Sequence, residues 1–457
     1  MKNLNQQQLL EFGGILVVLL LPLAFNPFAT QPSEAVKVVF LQAITIPMVI
    51  AFILSFKIKH SSQSVPSCPD GRTLTVSARL GDNALLIPVL IYFGVYVIAT
   101  ITSIEPWRSL WGTSTRQGTL TVMSLVLFFI MITVALRSSA PVDRLITTLI
   151  VVSVPVAIYG CMQYFGLDPL DWDTTSLSPV HSTVGYSLYL GAFLAMVIPF
   201  TLFRIFGGEE DGRNRPFPYF LILVLQVMCL LFTLSRGAWL GLLGGCTVFF
   251  WLMAYRWQFR RVFIFSIIML IVGGFLLISM NQGSVLPSNS GQNGLSDAIL
   301  ANARKVSNNE RMLIWVNTLP MISSRLLLGY GPETYSSAFW LTHPMGLFSE
   351  IPNFTPWDPH NIFLYHLTGI GVLGLIVFLW ILARFYKITY QAFKSASDRH
   401  SGIMIAAIIS SATVFLIQAQ FNPNGIVPLF LFWLVLAMGV STSRWVGEPA
   451  SEVTSDQ

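Results

Sequence analysis

The chain has 457 residues, of which 54% are hydrophobic and 10% charged, against about 25% charged in an average soluble domain. A water-soluble fold of that make-up would precipitate, so the several soluble domains that length alone suggests give way to a single membrane domain. The formal net charge of +5 is scattered between apolar segments instead of forming a basic stripe. That placement argues against a nucleic-acid partner and makes Lys and Arg reporters of topology.

Apolar runs long enough to cross a hydrocarbon core of about 30 Å fall near 9–27, 35–56, 84–102, 119–136, 145–165 and 185–203. A second set falls near 218–234, 238–255, 262–280, 360–383, 402–420 and 427–442. The expected fold is therefore all-α, a polytopic membrane protein of about twelve transmembrane helices. Lys2 precedes the first run as in a signal peptide, but no small-x-small cleavage site follows, which predicts a retained first helix.

Positive residues are preferentially kept on the cytoplasmic side. With the N-terminus inside, the clusters Lys57, Lys59, Arg72 and Arg79, then Arg137 and Arg144, then Arg204, Arg213 and Arg215 all fall in inner loops. Arg256, Arg260 and Arg261, and Arg384, Lys387, Lys394 and Arg399 do the same. Both termini are then cytoplasmic. The expected organisation is helices one to nine over 1–280, a large outer loop over 281–359, helices ten to twelve over 360–442 and a cytoplasmic tail over 443–457.

The outer loop is far longer than ordinary connections, and such loops are usually functional or disordered. Its start, QGSVLPSNSGQNG, has the composition of a flexible linker. From Ser307 the text becomes SNNERMLIWVNTLPMISSR, in which Met312, Leu313, Trp315, Val316 and Leu319 recur at helical spacing behind a capping sequence. An amphipathic helix lying on the membrane or against the bundle is expected. LLLGYGPETY then supplies a turn, and WDPHN leads into the tenth span.

Polar residues placed where lipid and topology disfavour them are the useful signals. Arg236 lies in LFTLSRGAWLGLLGG, in a tight outer turn between the seventh and eighth spans. It either snorkels to lipid headgroups or is a fixed cation facing a cleft, with Gly237 and the small residues after it letting the hairpin backbones approach. Arg311 sits in the first turn of the loop helix, the wrong end for the helix dipole, and pairs either with Glu310 or lipid phosphate or with the same cleft. Two guanidinium groups there would grip phosphate oxygens bidentately, which suits a pyrophosphate.

His360 opens the tenth helix, where the partial positive charge of the helix N-terminus favours a neutral imidazole able to accept a proton. Asp358 is a candidate orienter of His360, with Asn361 and Trp315 as further supports. His366 reads as a buried helix contact, His181 and His343 as outer-loop residues without a visible partner, and His60 and His400 as solvated cytoplasmic residues. Trp107, Trp172, Trp315, Trp340 and Trp357 read first as interfacial anchors; stacking on sugar rings is a second reading for Trp315, Trp340 and Trp357. Cys68, Cys161, Cys229 and Cys246 show no metal spacing, and no cofactor or metal is expected. HExxH, GxSxG, P-loop and EF-hand patterns are missing, so metalloprotease, serine hydrolase and nucleotide-driven pump lack support.

LSRGAWLG, NERMLIWVNTLPMISSRLLLGYGPETY and PHNIFLYHLTGIGVLGLIVFLW, in that order, make the chain similar to the O-antigen ligase and polymerase superfamily of bacterial envelope glycosyltransferases. STVGYSLYLGAFLAMVIPF is a weaker match: an Asn-containing turn often precedes this helix in the family, and Tyr186 and Ser187 stand here instead. The resemblance implies a C-type-like membrane glycosyltransferase at the outer face of the bacterial cytoplasmic (inner) membrane, as in lipopolysaccharide assembly. Such an enzyme moves a glycan from an undecaprenyl-pyrophosphate carrier to a hydroxyl of a glycan or glycolipid acceptor, with inversion and without metal. It further implies that Arg236 and Arg311 bind the donor pyrophosphate and that His360 is the base. Ligase and polymerase differ in the acceptor; a transporter or flippase for lipid-linked sugars is the alternative from another class.

Overall fold

The computed structural model describes residues 6–26, 34–61, 83–113, 117–169, 179–207, 216–257, 308–343 and 356–447. Within them the chain is helical, with no strand. The helices are α1 (Gln6–Leu23), α2 (Glu34–Ser61), α3 (Leu86–Ile101), α4 (Pro106–Trp111), α5 (Thr119–Ala135), α6 (Ser139–Tyr164) and α7 (Ser187–Phe206). They continue as α8 (Pro216–Phe232), α9 (Arg236–Trp257), α10 (Asn308–Ser324), α11 (Tyr335–Thr342), α12 (Ile362–Ser395), α13 (Arg399–Gln418) and α14 (Ile426–Gly447).

Seven helices, α2, α6, α7, α9, α12, α13 and α14, are long and apolar enough to cross a membrane, and α1, α3, α5 and α8 are shorter apolar helices. These eleven fall on eleven of the twelve expected spans. The expected ninth span at 262–280 and the Gly/Ser/Asn-rich stretch after it lie outside the described residues, as does the Glu310 side chain. α7, α13 and α14 are buried along most of their length and form the centre of the bundle, around which the other spans pack.

Inside such a bundle each hydroxyl or amide needs a protein partner, because lipid offers none. Thr45, Ser124, Thr389 and Thr413 donate back to the carbonyl four residues earlier. Others tie helices together: Ser411 Oγ donates to the Met196 carbonyl at 2.8 Å, and Gln226 links Ser153 to Thr201.

α9 carries the small-residue stripe. A Cβ at Gly237 would lie 2.7 Å from Asn422 Nδ2, and Gly241 and Gly245 face Val414 and Ser410 of α13, with Ser410 Oγ donating to the Gly245 carbonyl at 2.7 Å. The close approach expected between the two helices of the hairpin is made instead between α9 and α13; α8 hardly touches α9 and packs on α6 and α7.

The tenth expected span is two helices. Gly371 breaks α12 with φ 68 and ψ −173, and a Cβ there would collide with the Leu327 carbonyl. His366 before the break stacks on Phe378 after it, with ring centroids 4.3 Å apart. A continuous helix would hold them about 18 Å apart, so the two halves fold back on each other. The second half, 372–395, is about 36 Å long by helix rise and can cross the hydrocarbon core alone. The backbone groups freed by the break are satisfied by the loop: Tyr330 N donates to Thr368 O at 2.7 Å, Gly331 N to Gly369 O at 3.0 Å, and Val372 N to Leu326 O at 2.8 Å.

α10 and α11 form a cap with its own small core of Ile314, Met321, Tyr330, Tyr335, Ala338 and Phe339. The cap is fastened to the α3–α5 connection: Ser109 Oγ donates to the Pro332 carbonyl at 2.8 Å, and Arg108 Nη1 to Ser337 Oγ at 2.8 Å. α10 turns Ile314, Thr318 and Met321 into this cap core, with Thr318 Oγ1 2.7 Å from Tyr335 Oη, while Met312, Val316 and Leu319 stay exposed.

The opposite end of the bundle gathers basic residues on acidic and carbonyl partners. Arg204 Nη2 meets Asp143 Oδ1 at 3.1 Å, and Arg256 caps the carbonyls of Phe393, Lys394 and Ala396. His400, expected to be solvated, is buried there: Nε2 lies 3.2 Å from Asp143 Oδ2, and its ring stands edge-on to Phe203 at 5.0 Å.

Candidate functional site

At the cap end, five segments distant in sequence meet: the turn before α7, the α8–α9 hairpin, α10, the turn before α12 and the α13–α14 connection. Four residues other than glycine have positive φ among the described residues, Ser182 (50), Leu234 (52), Glu333 (60) and His360 (53). All four sit in these segments or in the cap turn beside them. Left-handed backbone at such residues costs on the order of 1–3 kcal/mol and concentrates where a site over-determines the chain.

Leu234 turns the chain so that Arg236 becomes the first residue of α9. The turn is pinned by Thr233 Oγ1, which accepts from Ser235 N at 3.3 Å, and by Asn422 Nδ2, which donates to Ser235 Oγ at 3.2 Å. An arginine at a helix N-terminus adds its charge to that of the exposed backbone N–H groups, making the spot doubly attractive to anions.

Arg311 reaches the same place from α10. Its pKa is lowered, first by burial and then by the charge of Arg236, so two like charges are held within electrostatic reach in a partly buried setting. Among the described residues no carboxylate is paired with Arg311. Holding two cations together in this way costs free energy that a bound dianion would recover.

His360 completes the group. Burial, and then the charge of Arg311, lower its pKa to about 4, so the imidazole is neutral near pH 7. Its backbone N–H donates to Asp358 Oδ1 at 2.6 Å, which closes the tight turn at φ 53. Asp358 was expected to orient the imidazole; it holds the backbone instead, and His360 Nδ1 is buried with no hydrogen-bond partner. Burial and the nearby Glu333 raise the Asp358 pKa to about 7, against the His360 N–H bond that lowers it.

The remaining supports also act on the turn. Trp315 Nε1 donates to the Pro359 carbonyl at 2.9 Å. The Asn361 side chain caps α12 by accepting from Phe363 N and Leu364 N, and its Nδ2 donates to Gln420 Oε1 at 3.1 Å. His366 is the buried contact expected, 2.9 Å from Tyr92 Oη. His343 is buried and stacked on Phe339 at 4.6 Å, and His181 Nδ1 lies 3.0 Å from the Ser182 carbonyl. A cavity of about 30 Å³ lined by Tyr92, Tyr96, Tyr365 and His366 lies beneath; it is sized for a water, not a sugar.

Two further residues, neither assigned a role from the sequence, stand near the group. Tyr186, the N-cap residue of α7, lies within reach of Arg311 and Asp358. Its turn is held by the fully buried Lys37, whose Nζ donates to Ala24 O at 2.7 Å and Thr183 O at 2.9 Å. Glu333 accepts from Thr113 Oγ1 at 2.6 Å and acts electrostatically on Asp358. The only sequence signals were the turn text STVGYS and an acid in the loop turn GPET.

The fold and site define a polytopic all-helical membrane protein that brings Arg236, Arg311 and His360 within electrostatic reach of one another at one end of its bundle. Residues 221–379 match the family described as O-antigen ligase, which supports the O-antigen ligase superfamily for this chain. The matched segment contains Arg236, Arg311 and His360. No curated protein matches the chain. The family supports a membrane-embedded glycosyltransferase-like enzyme that handles lipid-linked glycans, in a bacterial inner membrane.

Proposed function

We propose that the cleft transfers a glycan from undecaprenyl pyrophosphate to a hydroxyl of a glycan or glycolipid acceptor at the outer face of the inner membrane. The observation that carries this reading is the convergence of Arg311 on Arg236, two cations held together beside a neutral imidazole. Arg236 and Arg311 bind the donor pyrophosphate, whose departure needs charge stabilisation more than a general acid. The acceptor oxygen attacks the anomeric carbon, the bond from that carbon to the pyrophosphate oxygen breaks, and the pyrophosphate leaves with the electron pair. His360 takes the acceptor proton. Attack opposite the leaving group inverts the anomeric centre.

Donor binding prepares the base. The negative charge of the pyrophosphate offsets the Arg311 charge that depresses the His360 pKa, so the imidazole becomes a stronger base when the donor is in place. Ligase-type and polymerase-type transfer share this chemistry and differ in the acceptor.

The test is transfer by the purified, reconstituted protein. His360→Ala should lower turnover by about 10²–10⁴-fold with the donor still bound, and wild-type turnover would overturn the assignment. Arg236→Ala should cost about 10²–10³-fold.

A further inference from the structure

We infer that Tyr186 and Trp357 form a glycan subsite in this cleft, stacking on the pyranose ring that the donor carries next to its pyrophosphate. The inference rests on the function proposed above and adds the element that recognises sugar.

Three tryptophans near the cap are candidates for sugar stacking, and their surroundings separate them. Trp315 is committed to the Pro359 carbonyl, and Trp340 packs edge-on against Phe339 at 5.5 Å in the cap core. Trp357 is 46% exposed, yet its ring stands 5.6 Å from the His360 ring at 73°. With His360 as the base of the proposed transfer, an exposed aromatic touching it stands where the sugar would react.

Tyr186 comes to the same turn from another element. It is 40% exposed, backed by Tyr189 at 5.0 Å in an edge-on contact, and lies within electrostatic range of Arg311 and of Asp358, the residue after Trp357. Its backbone is held on both sides: Gly185 N donates to His181 O at 3.1 Å, and Leu190 N to Tyr186 O at 3.0 Å. Two exposed rings on rigid supports, flanking a cation pair and a base, are what a sugar attached to a pyrophosphate requires. Apolar sugar faces stack on rings, and ring edges and the phenol meet hydroxyls.

The experiment compares binding of two probes to the full-length protein in lipid vesicles: undecaprenyl pyrophosphate, and the same carrier bearing one N-acetylglucosamine. The sugar-bearing probe should bind wild type about tenfold more tightly, and Tyr186→Ala or Trp357→Ala should bring that ratio close to one while leaving the bare carrier unaffected. Tyr186→Phe and Trp357→Phe, which keep a ring, should hold the ratio within about threefold of wild type. An unchanged ratio in the Ala variants, with Arg236→Ala weakening both probes, overturns the subsite alone. Unaltered binding of the bare carrier to Arg236→Ala overturns the pyrophosphate site and the subsite with it.

Discussion

Asp358 holds His360 by the backbone and not by the ring: Oδ1 accepts the His360 N–H at 2.6 Å while the imidazole Nδ1 has no hydrogen-bond partner. The carboxylate therefore shapes the turn that presents the proposed base. Asp358→Asn keeps an oxygen acceptor and should retain transfer within about threefold, whereas Asp358→Ala loses the turn and should cost more than about tenfold. Equal losses in both variants would show that the negative charge itself takes part.

The same carboxyl sets a pH dependence. Its pKa is raised to about 7 in the fold from 3.8, so the folded state binds the proton more tightly than the unfolded chain. Stability on this account falls as pH rises from about 4 to 7 and then levels off. Asp358→Asn removes the buried charge, so its unfolding midpoint should exceed that of wild type by about 2–4 °C at pH 8. The gain should vanish near pH 4. A gain that grows as pH falls contradicts the burial argument.

Arg311 depresses His360 through its charge. Arg311→Gln should therefore raise the pKa of the free enzyme's imidazole and move the acidic limb of the kcat/KM profile to higher pH, alongside a loss of about 10²-fold in turnover. Histidine NMR on the ligand-free protein checks the shift directly, and a downward movement would refute it.

Gly237 is the point at which α9 leans on Asn422. Gly237→Ala should push the hairpin away from α13, costing about 1–3 kcal/mol of stability and displacing Arg236. Thermal unfolding in detergent measures the first effect and pyrophosphate inhibition the second. Asn422→Ala in the same background should restore part of both.

The sequence announced most spans because apolar runs of that length have few other uses, and it singled out Arg236, Arg311 and His360 because each breaks the rule of its location. Pairings between distant backbone groups leave no such mark. The break at Gly371 was hidden inside GIGVLG, where glycines read equally well as close-packing residues, and its partners at 326–331 lie across the loop. α9 chose α13 over its hairpin neighbour for a similar reason: a small-residue stripe says that something approaches, not what. Tyr186 carried only a weak signal, its place in a turn where the family often has Asn, since a tyrosine before an apolar helix is an ordinary interfacial residue until Arg311 is found within electrostatic range.

The ladder between residues 326–331 and 368–373 has a consequence for protein engineering. The backbone of the cap finishes the hydrogen bonding of a membrane segment, so the natural exchange unit runs from α10 to beyond Gly371. Chimaeras that trade acceptor preference between relatives should be cut after residue 373. A graft ending at the start of α12 would carry donors and acceptors shaped for another chain's break, and should misfold in the bilayer before its specificity can be assayed.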